Sequence, residues 1–318
     1  MKEVTGRMAK ITIRFNYFRL YLENGEGDSL YDFSDLLDYI EQHKTKNYSM
    51  NVNAGNFGEI DTNAFHYDKD KNIYYLQIAK LRNENLPDKK RVSEPREDLP
   101  LQPDEYVSEF LTLIYDATHM VTMVQVNRSS LSVKELEIYL TQLRNSKKKE
   151  EGQKIDDYYV QCRIVPDPEK LNDVKTADYI RRISLKGSKV NLDALQDDQS
   201  LKKISDAIGK LEGVNFKIEI SVDSHAPKDS SLNKENLLEV IDDINEHNND
   251  INTEVTIKED IDTSVETVNL VSPRMTDIIK VEHDNRRNIG VEFLYNRFME
   301  EIYVEKRKKI ERLLGREE

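Results

Sequence analysis

Apolar residues recur along the chain with two periods, and the alternation between them predicts strands and helices mixed throughout. A strand is expected over 11–22, followed by a helix over 30–43 in which Phe33, Leu36, Leu37 and Ile40 fall at i, i+3, i+4 and i+7. Ser29 precedes that helix, and Asp32 lies in its first turn, where a negative charge suits the dipole. Runs at 57–67 and 73–81 read as strands joined by the polar turn 68–72. Runs at 110–115 and 120–126 read as a hairpin around 116–119. Ser132-Val-Lys-Glu135 is a capping box with Leu131 and Leu136 at the staple positions. The helix it starts should run to about Arg144 and bury Leu136, Tyr139, Leu140 and Leu143.

The second half repeats the mixture. A strand over 158–165 stops at Pro166-Asp-Pro168, and 183–185 with 190–192 could pair around Gly187. Leu201, Ile204, Ile208 and Leu211 mark a helix ended by Gly213. Val214, Phe216, Ile218, Ile220 and Val222 alternate strictly, which predicts a strand with one buried face. Leu237, Leu238, Ile241 and Ile244 form the next helix, with Leu232 stapled to Leu237. Shorter strands are expected at 255–257, 267–271 and 277–281. A long helix follows over 289–314, apolar at Val291, Leu294, Phe298 and Ile302. The fold class is α+β: two mixed α+β domains with antiparallel hairpins and a long C-terminal helix.

Composition sets the domain boundary. The stretch 144–157 has Ile155 as its only apolar residue, so the chain should divide into domains 1–150 and 151–318. Four prolines within 83–104 indicate a long surface loop in the first. Charge is uneven. The 318 residues carry 47 Lys+Arg and 60 Asp+Glu, a formal −13; residues 1–150 hold 21 basic and 24 acidic groups, and residues 151–318 hold 26 and 36. Between 229 and 266 there are 12 acidic residues against Lys234 and Lys258, so the excess lies in one segment and the molecule is polarised. No 18-residue stretch lacks charge, no secretory leader pattern opens the chain, and Cys162 is the single cysteine. Those features point to a cytoplasmic protein without membrane insertion or a disulfide framework.

Candidate chemistry is sparse. Glycine-rich phosphate loops are absent, no two of the six histidines are spaced as helical ligands, and no GxSxG elbow occurs. No catalytic residue, metal site or cofactor is therefore expected. Asp167 with Asp173-Val-Lys175 is the nearest approach to a magnesium-nuclease arrangement, too tight to span two strands. Cations are more informative. Arg181, Arg182, Lys186 and Lys189 bracket the proposed 183–192 hairpin, and Lys202 and Lys203 open the next helix, so a shared basic face could bind phosphates. Asn127 and Arg128 lie between a strand and the capped helix, where an amide and a guanidinium could read a phosphate or a base. On the last helix, Tyr295, Met299 and Tyr303 beside Leu294, Phe298 and Ile302 widen the apolar face, as if one side met a domain and the other a second subunit or partner protein.

The order strand, turn, strand, polar turn and helix in 109–140 (EFLTLIYDATHMVTMVQVNRSSLSVKELEIYL), with 232–244 (LNKENLLEVIDDI) and the charged terminal helix, resembles a group of bacterial proteins of similar length from phage-defence loci. The B subunit of Kiwa and the RexA exclusion protein are examples. That resemblance implies a cytoplasmic defence component that binds DNA without being a nuclease. The expected function is thus non-enzymatic nucleic-acid binding, DNA favoured, through the Arg181–Lys203 face. The acidic 229–266 segment would limit non-specific binding or meet a protein partner. The alternatives are an interaction or oligomerisation subunit of a defence complex and a metal-dependent nuclease.

Overall fold

The computed structural model describes residues 8–188 and 206–314, except positions 54, 83, 85, 91, 94, 103, 207, 209, 224, 247–250, 259, 262–264, 271–272 and 285–288. The chain forms two compact units. One comprises Met1–Val165 with Thr276–Glu318 and the other Pro166–Met275, so the boundary expected near 150 is replaced by an insertion with two ends. The polar 144–157 stretch misled because its charges satisfy one another. Arg144 makes a bidentate pair with Asp156 at 2.6 and 2.7 Å, and Lys148 reaches the same carboxylate. The chain then returns directly to the sheet.

Among the described residues the first unit holds a nine-stranded sheet. Its strands are β1 (Met8–Glu23), β2 (Asp28–Leu30), β3 (Met50–Asn53), β4 (Asn56–Asp68), β5 (Ile73–Arg82), β8 (Val107–Asp116), β9 (Val121–Gln125), β10 (Tyr159–Ile164) and β15 (Thr276–Asp284). They lie in the order β10-β1-β9-β8-β5-β4-β3, with β15 and β2 also pairing β1. A small ribbon of β6 (Lys89–Lys90) and β7 (Arg96–Glu97) occupies the proline-rich loop. All pairings are antiparallel, and the β4–β5 and β8–β9 hairpins match the expected runs. Strand β1 is long enough to pair with two strands along one side. There Phe18 faces Ile164, the Val165 amide donates to the Tyr17 carbonyl at 3.0 Å, and Asn16 faces Thr276. β10, Val165 and β15 therefore form one edge strand in unbroken register, and the whole second unit is inserted between two successive positions of it.

Helices cover both faces. On one lie α1 (Ser34–Gln42) and α2 (Val133–Glu150), which bury Leu36, Leu37, Ile40, Leu136, Leu140 and Leu143 against Phe18, Leu20, Leu76 and Ile78. The capping box forms as expected, with Ser132 and Glu135 satisfying each other's amides. Gly58 permits the approach of α2: a Cβ there would sit 2.8 Å from the Tyr139 ring. That tyrosine accepts from the Ile60 amide at 2.8 Å and donates to the Tyr48 carbonyl at 3.0 Å.

On the other face lies the C-terminal helix, built as α5 (Val291–Phe298), a π turn over Met299–Tyr303 and α6 (Val304–Leu314). Its wide apolar face is largely taken up within its own unit. Leu294, Tyr295, Phe298, Met299 and Tyr303 are buried in their own unit and Ile302 is half-buried. Phe15 meets Phe298 at 4.7 Å between ring centroids, and Tyr75 stacks flat on Tyr295 at 3.9 Å. The extra width comes from the π turn, which turns Phe298 and Tyr303, five residues apart, to the same side, where they stack at 5.7 Å.

The second unit holds, among its described residues, a four-stranded sheet. The strands are β11 (Tyr179–Ser188), β12 (Asn215–Ser221), β13 (Asn252–Lys258) and β14 (Glu266–Asn269), in the order β12-β11-β13-β14, with helices α3 (Lys170–Thr176) and α4 (Lys234–Glu246). Leu237, Ile241 and Ile244 of α4 pack on Phe216, Val255 and Ile257. The expected 183–192 hairpin is replaced by one ten-residue strand pairing β12 and β13; 190–192 and most of the 201–211 helix lie outside the described residues. β12 is an edge strand on which Ile220 is 53% exposed, so its alternation does not give the fully buried face expected. Glu235, Glu239 and Asp242 of the acidic run lie on the solvent side of α4.

Candidate nucleic-acid interface

The loop 126–132 that leads into α2 is held by its own polar groups. Asn127 donates to the Phe110 carbonyl at 2.7 Å and accepts from the Ser129 amide at 3.1 Å, and Ser130 donates to the Glu109 carbonyl at 2.7 Å. The amide expected to read a base is thus tied into the loop. Arg128, held out by that loop, is exposed and has no partner among the described residues. Beside it lies a cleft of about 350 Å³, walled by Asn16, Phe18 and Val124 of the sheet and by Leu131, Ser132 and Leu136 at the start of α2. Lys80 and Glu135 close one wall as an ion pair at 2.7 Å. The Glu135 carboxyl is held below its ordinary range; burial pushes it up, but the Lys80 ammonium and the Ser132 amide outweigh that. The capping box already occupies the Ser132 and Glu135 amides, so the cations beside the cleft are its main attraction for an anion.

The sheet continues past the cleft, and no helix among the described residues lies over it. Side chains of paired antiparallel residues share a face, which groups Lys10 with Glu282, Thr12 with Lys280, Arg14 with Ile278 and Asn16 with Thr276. The Val126 amide donates to the Arg14 carbonyl at 2.8 Å, which brings the Arg128 loop alongside this row. Lys10, Thr12, Arg14 and Lys280 are exposed. Lys10 makes only a 3.9 Å contact with Glu282, whereas Arg14 and Lys280, like Arg128, have no ion-pair or hydrogen-bond partner among the described residues. Four residues along a strand span about 13 Å and neighbouring strands lie about 4.8 Å apart. Lys10, Arg14, Lys280 and Arg128 are therefore spread too widely for one phosphate and suit a chain of them.

Of the basic face expected in the second unit, Arg181 and Arg182 are engaged within the unit. Arg181 donates to the carbonyls of Pro227 and Ser230 at 2.9 and 2.8 Å, acting as a brace for the 227–230 loop. Arg182 lies 3.6 Å from Glu219 and donates to Thr256 at 3.3 Å. Lys186 is exposed and faces Lys217, itself 3.4 Å from Glu219. Lys189, Lys202 and Lys203 lie outside the described residues. Position in the sequence gave no means of telling cations held by carbonyls from cations left free, and Arg14, on an ordinary-looking strand, carried no signal of its own.

Two other clusters hold the fold. Asp116, fully buried, accepts from Tyr303 at 2.6 Å and from His119 Nδ1 at 2.9 Å, while His119 Nε2 lies 3.3 Å from Glu311. Burial first, and then the Asp116 carboxylate, drive the Tyr303 hydroxyl well above its ordinary pKa, so it stays a donor. These groups tie the terminal helix to the β8–β9 hairpin, and they do not line the cleft beside Arg128. In the second unit Lys170 is clamped by Glu266 at 2.8 Å and Asp173 at 3.1 Å. Asp167 is fully buried, with its amide donating to the Pro273 carbonyl at 2.9 Å, so the nuclease-like residues serve to close the unit. Among the described residues no three His, Cys, Asp or Glu side chains are placed to hold a metal ion. Cys162 is buried, and burial raises its thiol pKa, against a role as nucleophile. No helix among the described residues is long and apolar enough to cross a membrane.

No curated protein matches the sequence. A family model does, over residues 8–311, a span that takes in the sheet, both helical layers and the inserted unit: the chain belongs to DUF6731, a family of unknown function.

Proposed function

We propose that the protein is a non-catalytic nucleic-acid-binding component, acting in phage defence as its order of elements suggests. On this reading the phosphodiester backbone runs over the uncovered part of the first unit's sheet, with the neighbouring cleft taking a base or sugar. The observation that carries this reading is the pair of exposed guanidiniums of Arg14 and Arg128 beside the cleft, without partners among the described residues and flanked by Lys10 and Lys280. No aromatic ring lies on that row, so contact is with phosphates and sequence preference is weak.

Fluorescence anisotropy with labelled single- and double-stranded DNA and RNA at roughly 50 and 200 mM salt tests it. Four phosphate contacts on a single strand predict about a 50-fold loss of affinity across that range. The double reversal Arg14→Glu/Arg128→Glu is expected to remove binding at 50 mM salt, and Arg182→Glu/Lys186→Glu to leave it within about threefold. Absence of binding at 50 mM, or binding indifferent to the first pair and lost with the second, overturns the proposal.

A further inference from the structure

The long edge strand is guarded along one half and open along the other. In the β10 half, α2 reaches over the edge: Thr141 Oγ1 accepts from the Val160 amide at 2.9 Å and Glu137 from the Cys162 amide at 2.8 Å. Amides of even-numbered residues there point away from β1, while that of Val165 points toward it. Because the register carries on unbroken into β15, the alternation carries on too. Ile279 and Val281 spend their backbone groups on β1, and Ile278, Lys280 and Glu282 present theirs outward. No side chain or strand among the described residues meets those outward amides. A groove of about 480 Å³ follows this stretch, lined by Lys10, Lys280, Val281, Glu282, Phe293 and Arg297, and Phe293 is 42% exposed in it.

A free edge takes another strand, and its side chains decide which one. We propose that the occupant is a second copy of this chain, paired antiparallel through β15 about a two-fold axis at Val281. The argument is charge complementarity combined with the hydrogen-bond alternation. With the axis at residue 281, Lys280 of each copy stands opposite Glu282 of the other, and those two are the residues whose amides and carbonyls face outward. One register therefore satisfies the backbone and forms two opposite-charge cross-strand pairs. Moving the axis by one residue sets Lys280 against Lys280 or Glu282 against Glu282. The pairing merges two sheets into one and places the exposed rows of both copies on a single continuous face.

Sedimentation velocity on the full chain without nucleic acid, from about 1 to 200 µM at low salt, tests this independently of the preceding proposal. The wild type is expected to show a concentration-dependent dimer. Lys280→Glu and Glu282→Lys, each placing like charges opposite, are expected to weaken it at least tenfold, and the double reversal Lys280→Glu/Glu282→Lys to restore it. Far-UV circular dichroism checks that each variant keeps its strand content. A monomer at every concentration, or a double reversal no better than either single one, overturns the proposal.

Discussion

Tyr139 joins three parts of the first unit. Its ring lies on Gly58, and its hydroxyl serves the Ile60 amide and the Tyr48 carbonyl while being fully buried. Removing that hydroxyl in Tyr139→Phe leaves a buried donor and a buried acceptor unmet, an expected loss of about 1–3 kcal/mol in chemical denaturation. Gly58→Ala should cost a comparable amount, because its new methyl would require the ring to move. At this scale the sequence was half legible. Tyr139 was readable as a core residue from helical spacing and Ser132–Glu135 as a cap, since both depend on neighbours within one turn. The roles of Arg181 and Arg14 were not readable. One is held by carbonyls some 46–49 positions away and the other is left free by its sheet, and neither fact is local.

Elements were recovered where their signal is periodic. Strands β4, β5, β8 and β9 and helix α4 form where the pattern of apolar residues put them. Helix α1 starts at Ser34 instead of Leu30, because 28–30 pairs with β1 as β2, and α2 runs past Arg144 to Glu150 on a charged turn that periodicity cannot see. The pattern was silent on the segment between α2 and β10, because polarity alone does not distinguish a linker from a set of mutually paired charges. Asp156 shows the difference. The Arg144 guanidinium first, and then Lys148, hold its carboxyl far below the ordinary range against the opposing effect of burial. A depressed carboxyl stabilises the fold above its unfolded pKa of about 3.9 and loses that contribution as pH falls below it. Denaturation midpoints should therefore drop between about pH 4 and pH 2 in the wild type. Asp156→Asn should lose about 1–3 kcal/mol at pH 7, since it strips a buried guanidinium of its carboxylate, and should show a shallower acid dependence. The terminal helix was correctly placed, but its width was misread: periodicity counts apolar positions and has no means of locating a π turn that brings two stripes onto one core.

For the molecule as a whole, the insertion was invisible in the sequence because two short strands 110 residues apart carry no sign that they are halves of one. The registers are explicit about it. Val165 lies opposite Tyr17 and Thr276 opposite Asn16, and within the second unit Pro166 bridges Arg274, so the inserted segment leaves and re-enters at neighbouring points. Joining Val165 directly to Thr276 should leave every pairing of the first unit unchanged. The shortened chain is expected to be strand-rich by circular dichroism and to unfold in one cooperative transition; a disordered product would contradict the register.

The same interrupted strand dictates an order of assembly. Until Pro166–Met275 is folded, β15 must find its place at the end of a loop of 110 residues, an entropic handicap of roughly 4 kcal/mol before any rung of the ladder forms. Once that segment has folded and drawn Pro166 up to Arg274, the handicap largely vanishes and the strand closes as if it had never been cut. The insert thus works as a splint for its host. Mutations that slow its folding should delay the β1–β15 ladder, and with it the docking of the terminal helix, while the β4–β5 and β8–β9 hairpins form on schedule.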